Sequence, residues 1–130
     1  FVIGDTERVL ARSRQLVINP FQGYPECDRN ILDQRLEETI KAYSAIDGAF
    51  IVRGDGVLVA AGRYLVPEEW NEERVPKGLG ARHQAALTIT LGTSALTVCI
   101  SQSTGTISVY KEGILLLELA KPRSPMNETF

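Results

Sequence analysis

Five short apolar runs separated by glycine-containing turns dominate the sequence after residue 48. They occupy residues 49–52, 57–61, 95–100, 106–110 and 114–119. Runs this short, bounded by turn residues such as Gly-Asp-Gly at 54–56, are typical of β-strands rather than helices. Val2 and Ile3 read as the end of a further strand. The sequence therefore predicts a hairpin followed by a β-meander.

Helical patterns occupy the spaces between these runs. One predicted helix is capped by Asp5 or Thr6 and continues through Val17, where Asn19-Pro20 stops it. A second runs from Asp33 to about Ser44, and a third opens at residues 79–83. Polar loops cover residues 20–33 and 66–78. The combination predicts a mixed α/β (α+β) fold, with a central mixed, largely antiparallel β-sheet flanked by helices on its faces.

Length and charge limit what such a domain can do. A chain of 130 residues suits one domain, here 1–120, followed by a tail at 121–130. The first residue is Phe1, which suggests a domain excised from a longer chain. A net charge of −2 excludes a basic nucleic-acid coat, so no direct nucleic-acid binding is expected, but a small polyanion can still bind locally. No apolar run reaches membrane-spanning length.

Cysteine usage is sparse. The two cysteines, Cys27 and Cys99, lie far apart, so neither a disulfide framework nor a zinc site is expected. Cys99 sits in an apolar run and reads as a small buried side chain. This usage favours a reducing, cytoplasmic location.

The first candidate site is Asp47-Gly48-Ala49, at the predicted junction between a helix and a strand. A carboxylate there can bind a metal or accept a proton from a hydroxyl, and the small residues after it allow close approach. A plain Asp-Gly turn is the commoner explanation of the same three residues.

The second candidate is the run Gly-Leu-Gly-Ala-Arg-His at 78–83. Free N–H groups at a helix start suit a phosphate, and the Arg82 guanidinium can bind phosphate oxygens in a fork. The spacing matches neither a dinucleotide-binding fingerprint nor a P-loop. A simple loop-to-helix junction explains it equally well, and a lone histidine such as His83 more often packs or caps than reacts.

The third candidate is the hydroxyl cluster at 101–105, Ser-Gln-Ser-Thr-Gly. Hydroxyl groups at a strand end can bind phosphate or ribose. Such a cluster is more often a β-turn.

The order of these three segments resembles the diadenylate cyclase domain. The resemblance covers about residues 30–119 and includes Leu-Gly-Ala-Arg-His at 79–83 and Thr-Gly-Thr-Ile-Ser-Val at 104–109. The upstream stretch, with Ser-Arg-Gln-Leu at 13–16 and Asn-Pro-Phe at 19–21, looks most like the archaeal-type branch. Members of that branch carry an additional α/β domain before the cyclase domain.

The resemblance implies an enzyme, a nucleotidyltransferase that condenses two ATP into cyclic di-AMP, a second messenger, and releases two pyrophosphates. It implies a divalent metal (Mg or Mn) and a head-to-head homodimer or higher oligomer of dimers, because each domain holds one ATP. Asp47 would serve as metal ligand and activate the ribose 3′-hydroxyl, while Arg82 and His83 would hold phosphates. The nucleotide-binding residues it implies are Gly48, Ala49, Leu65, Gly80, Ala81, Ser101, Ser103 and Thr104.

Three positions depart from the family pattern. Gln84 replaces the third residue of the Arg-His-Arg motif, Ala81 replaces a common threonine, and Gln102 and Ser103 stand where many members carry an acid. These departures motivate an alternative, a catalytically impaired adenine-nucleotide-binding module of the same fold. A plain structural or interaction domain is a third hypothesis.

Overall fold

The computed structural model describes residues 1–67 and 75–122. Seven strands and three α-helices lie in this part of the chain. In chain order they are β1 (Val2–Ile3), α1 (Thr6–Ala11), β2 (Ser13–Gln15), α2 (Glu37–Tyr43), β3 (Ala49–Val52), β4 (Leu58–Leu65), α3 (Ala81–Gly92), β5 (Leu96–Ile100), β6 (Ile107–Lys111) and β7 (Ile114–Leu119).

All seven strands form one sheet in the order β2-β4-β3-β1-β5-β6-β7. Only the β1–β3 pair is parallel; the other strand pairs are antiparallel. The short strand β1 therefore joins an antiparallel group of β2, β4 and β3 to the meander of β5, β6 and β7. This confirms the predicted mixed, largely antiparallel sheet.

Alternating side chains give the sheet two apolar faces, because successive strand residues point to opposite sides. On one face, Ile51 and Ala60 pack with Val9 of α1 and Ile89 of α3. On the other face, a second cluster forms around Phe50 and Phe21. Leu36, which precedes α2, and Ile40 and Tyr43 of α2 pack against this cluster. Helices thus cover both faces, as predicted.

The first helix is shorter than the sequence predicts, and the prediction through Val17 is wrong. The helix ends at Ala11, and Ser13–Gln15 forms β2, which pairs antiparallel with Arg63–Leu65 of β4. The same pairing explains why β4 extends to Leu65 rather than ending at residue 61. Backbone pairing with a distant strand overrode the local helical pattern, which is a common outcome for weakly periodic segments.

Asp5 does not cap α1 with its side chain. Its backbone adopts a left-handed conformation, with φ at 44°, and its carboxylate accepts a hydrogen bond from Ser94 N at 2.8 Å. That bond lowers the pKa of the Asp5 carboxyl group. The residue therefore ties the start of α1 to the turn before β5.

The remaining predicted elements match the structure closely. The Asp33 side chain accepts from Arg35 N and begins a single 3-10 turn that leads into α2. Helix α3 and strands β3, β5, β6 and β7 fall within a residue or so of their predicted positions. Cys99 is buried and Cys27 exposed, and both thiols are free. Parts of the predicted loop 66–78 and of the tail 121–130 lie outside the described residues.

Candidate active site

A cavity of about 330 Å³ opens where β1 and β3 begin and where β4 and β5 end. Its walls come from residues 46–50, from the last three residues of β4, from the first turns of α3 and from β5. Most of its inner surface is apolar, supplied by side chains such as Val2, Phe50, Ala86 and Cys99. An apolar cleft with a few polar groups at its walls is the usual form of a small-molecule site.

Asp47 stands at the rim of this cavity, between the end of α2 and the start of β3. The chain turns there with hydrogen bonds from Ser44 N to Ile40 O and from Ile46 N to Tyr43 O. Asp47 is exposed, and its carboxylate has no hydrogen-bond or ion-pair partner in residues 1–67 and 75–122. The carboxylate is therefore available to a ligand.

Gly48 brings the turn against the backbone of β4. Its φ is +100°, and a Cβ added at this position would lie 2.8 Å from Arg63 N and 2.9 Å from Arg63 O. Ala49 then enters β3 directly opposite Arg63. Only glycine fits this close approach, so Gly48 fixes where the Asp47 carboxylate stands relative to the sheet.

The start of α3 brings a positive group to the same cavity. Its N-cap residue is Gly80, and no side chain caps the first turn, whose N–H groups carry the positive end of the helix dipole. Arg82 lines the cavity and donates from Nη1 to Ile100 O at 3.1 Å, which joins α3 to the end of β5. Ala81 and Leu65 line the cavity as well.

The structure brings six of the eleven predicted site residues to this cavity: Asp47, Gly48, Ala49, Leu65, Ala81 and Arg82. The other five, Gly80, His83, Ser101, Ser103 and Thr104, do not line it. Gly80 and His83 lie directly before and after the lining pair Ala81 and Arg82 at the start of α3, and Ser101 follows the lining residue Ile100. The catalytic and binding roles of all eleven residues stay predictions.

The hydroxyl cluster forms the turn between β5 and β6. Gly105 N donates to Ser101 O and Ser101 N to Thr106 O, both at 2.9 Å. Ser101 Oγ and Ser103 Oγ are 3.2 Å apart, and Thr104 Oγ1 donates to Thr106 Oγ1. The hydroxyl groups thus bond to one another at the surface, beside the cavity.

Gln84 points to a different place from Arg82. Its amide Nε2 donates to Leu79 O at 2.9 Å, and its side chain lines a second, neighbouring cavity. Gln84, which stands at the third position of the Arg-His-Arg motif, therefore does not line the cavity that contains Asp47.

Sequence reasoning missed one cation in the cavity, Arg63. Its guanidinium donates to Ser13 Oγ, Ser13 O and Leu10 O at 2.8–3.0 Å. Burial lowers the pKa of this guanidinium, because desolvation disfavours its charged form. A lone arginine within an otherwise mostly apolar strand was the available signal.

Among the described residues, Asp47 is the one acidic side chain that lines the cavity. The same residues hold no group of three or more His, Cys, Asp or Glu side chains placed to bind a metal ion. Nor does any helix in residues 1–67 and 75–122 have the length and apolar character needed to cross a membrane.

The fold and the cavity define a mixed α/β domain in which a free carboxylate and an uncapped helix start line one cleft. Residues 1–115 match the family model DAC, described as DisA bacterial checkpoint controller nucleotide-binding. The chain belongs to this family.

Curated relatives include two archaeal proteins named diadenylate cyclase. The one from Methanocaldococcus jannaschii is 45% identical over 118 residues, which are 91% of this chain and 37% of the relative. The one from Haloferax volcanii is 37% identical over 119 residues, or 92% of this chain and 43% of the relative. The chain thus spans about two fifths of the length of these relatives.

Solved structures share the fold. A hypothetical membrane spanning protein from Bacillus cereus superposes with a TM-score of 0.63 at 25% identity, covering 92% of this chain and 53% of its own. DacA from Staphylococcus aureus, as an N166C/T172C double mutant, gives a TM-score of 0.53 at 23% identity over 98% of this chain and 77% of its own. The second likeness concerns the fold alone.

Proposed function

We propose that this domain is a metal-dependent diadenylate cyclase that condenses two ATP into cyclic di-AMP and releases two pyrophosphates. The observation that carries the proposal is the unpartnered Asp47 carboxylate in the same cavity as Arg82 at the start of α3. Membership of a nucleotide-binding family and the names of the two archaeal relatives support it. The free thiols fit the reducing cytoplasm, where ATP is available.

The reaction requires a base for the attacking hydroxyl and positive charge to neutralise the phosphates. The ribose 3′-hydroxyl of one ATP attacks the α-phosphorus of the other, a new O–P bond forms, and the bond to pyrophosphate breaks. Asp47 accepts the hydroxyl proton, and Arg82 with the N–H groups of α3 stabilises the negative charge on the phosphates. A second, identical step closes the ring.

A divalent cation fits this donor set. Mg²⁺ is usually bound by one or two carboxylates together with substrate phosphates, and Mn²⁺ accepts the same oxygen ligands. Asp47 offers one such carboxylate, unpaired and exposed, so it would hold an ion that arrives with ATP. When bound, the ion would neutralise phosphate charge and favour ionisation of the attacking hydroxyl.

A second copy of the chain is needed to complete the reaction. A cavity of about 330 Å³ is at the small end of ligand sites and suits one nucleotide. Two ATP must react with each other, so two domains must place their cavities face to face. The proposed partner is therefore a second copy, in a homodimer or an assembly of dimers.

The dimer requirement gives a test that uses the full-length protein. Cyclic di-AMP formation per chain should fall as the protein is diluted below its dimer dissociation constant, while ATP binding per chain stays the same. Size-exclusion chromatography with light scattering would follow the dimer fraction in parallel. A rate per chain that is independent of the dimer fraction would contradict the two-domain reaction.

Arg82→Ala should weaken ATP binding about 10- to 100-fold, because a hydrogen bond to a charged group contributes about 1.5–3 kcal/mol. The loss should be larger without Mg²⁺, when less positive charge faces the phosphates. Isothermal titration with an ATP analogue that carries a methylene bridge between the α- and β-phosphates measures binding without turnover.

Arg35→Ala is the matched control, since Arg35 is an exposed arginine that pairs with Asp33 outside the cavity. It should leave the affinity unchanged. Equal affinities of Arg82→Ala and the unsubstituted protein would remove Arg82 from the site.

The alternative, a nucleotide-binding module without turnover, has one observation in its favour. The β5–β6 turn presents hydroxyl groups that bond to one another and no acid, so Asp47 alone supplies a carboxylate among the described cavity residues. The module predicts ATP binding without cyclic di-AMP in a sample shown to be dimeric. A purely structural domain predicts no ATP-induced rise in melting temperature.

A further inference from the structure

Arg63 holds the strand on which the Asp47 turn rests. It lies near the end of β4, directly opposite Ala49 of β3, and its backbone is the surface against which Gly48 packs. A Cβ at Gly48 would approach both Arg63 N and Arg63 O within 3 Å. Any displacement of the β4 backbone at Arg63 would therefore displace Asp47-Gly48-Ala49.

The Arg63 side chain anchors that backbone to a separate part of the chain. Nη2 donates to Leu10 O at 2.9 Å and to Ser13 O at 2.8 Å, and Nε donates to Ser13 Oγ at 3.0 Å. Ser13 Oγ in turn donates to Val9 O at 2.7 Å. One guanidinium thus joins the end of α1 and the start of β2 to β4 at the level of the Asp47 turn.

The remaining features of Arg63 exclude a simple surface ion pair. No carboxylate in residues 1–67 and 75–122 lies within ion-pair distance of its guanidinium, whose charge is met by carbonyl and hydroxyl oxygens. No buried side-chain nitrogen or oxygen in these residues lacks a hydrogen-bond partner. The unpaired Nη1 therefore reaches solvent, and Arg63 lines the cavity.

From this geometry we infer that Arg63 is a positioning residue, which sets the location of the Asp47 carboxylate through the backbone contact with Gly48. The inference rests on the proposed function, because it assigns Arg63 to the alignment of that reaction. Misplacement of a reacting group by about 1 Å can cost about a hundredfold in rate. Loss of the anchor should then lower kcat more than it raises KM.

The test compares Arg63→Gln with Arg53→Gln in the full-length protein. Arg53 is the matched control, because it also makes several hydrogen bonds, to Glu26 and Asp55, but lies outside the cavity. Arg63→Gln should lower kcat about 10- to 100-fold with KM for ATP within about twofold. Arg53→Gln should reduce thermal stability without this loss of kcat.

Hydrogen exchange supplies a readout that does not depend on catalysis. The amide of Ala49, which lies in β3 opposite residue 63, should exchange at least about tenfold faster in Arg63→Gln and at the parent rate in Arg53→Gln. Unchanged exchange, or a kcat equal to that of the unsubstituted protein, would overturn the inference.

This design distinguishes failure of the proposed function from failure of the inference about Arg63. If the unsubstituted protein makes no cyclic di-AMP, the proposed function fails, while the exchange comparison still tests Arg63. If Arg63→Gln does not fold, Arg63→Lys takes its place in the same measurements. The ammonium group retains the charge but cannot reproduce the fork of hydrogen bonds.

Discussion

Asp47→Asn should lower the rate of cyclic di-AMP formation by at least about a hundredfold. General-base catalysis is typically worth about 10²–10⁴-fold, and asparagine can neither accept the 3′-hydroxyl proton nor offer a charged oxygen to a divalent cation. The substitution keeps the size and shape of the side chain. Initial rates measured by chromatographic separation of cyclic di-AMP from ATP would check this expectation.

Stability separates this effect from a folding defect. The Asp47 carboxylate makes no hydrogen bond in the described part of the chain, so Asp47→Asn should change the free energy of unfolding by less than about 0.5 kcal/mol. Asp28→Asn, the same chemical change in the exposed 3-10 turn Glu26–Asp28 outside the cavity, should retain full activity. Parent-like turnover by Asp47→Asn would show that another group activates the hydroxyl.

Gly48→Ala should reduce both stability and activity. A non-glycine residue held at a φ of +100° costs about 1–3 kcal/mol, and the new Cβ would also overlap the β4 backbone at Arg63. Backbone atoms cannot move aside as a flexible side chain can, so the turn itself must shift and carry Asp47 with it. Urea denaturation should give the loss of stability, and the cyclase assay the loss of turnover.

Gly54→Ala is the control for this substitution. Gly54 lies in the turn between β3 and β4, has no φ in the left-handed region, and has no atom within 4 Å of an added Cβ. Its replacement should leave the free energy of unfolding nearly unchanged. Similar losses in Gly48→Ala and Gly54→Ala would mean that the close approach to Arg63 has no special role.

Local patterns predicted most of the sheet because its strands are short, apolar and bounded by glycine turns. The β5–β6–β7 meander pairs neighbours in sequence, so its hairpins follow from the turns between them. β2 escaped prediction because Ser13–Gln15 is polar, and it is a strand only through its pairing with Arg63–Leu65 about fifty residues away. Pairing over such a separation leaves no local signal.

The candidate site was likewise predicted only in part from the sequence. Asp47 and Arg82 were predicted from short motifs, and the structure places them in one cavity. Arg63 was missed because its role depends on contacts with Leu10 and Ser13, which the sequence does not reveal as neighbours. The close approach of Gly48 to the β4 backbone was missed for the same reason, while its predicted contact with a nucleotide stays a prediction.

The most direct test of the central claim is the stoichiometry of ATP turnover, measured on the full-length protein in a sample shown to be dimeric. ATP with Mg²⁺ or Mn²⁺ should yield one cyclic di-AMP, identified by mass spectrometry, and two pyrophosphates for every two ATP consumed. Asp47→Asn should bind ATP and form neither product. Tight binding of ATP by a demonstrated dimer of the unsubstituted protein, without cyclic di-AMP or pyrophosphate, would contradict the account.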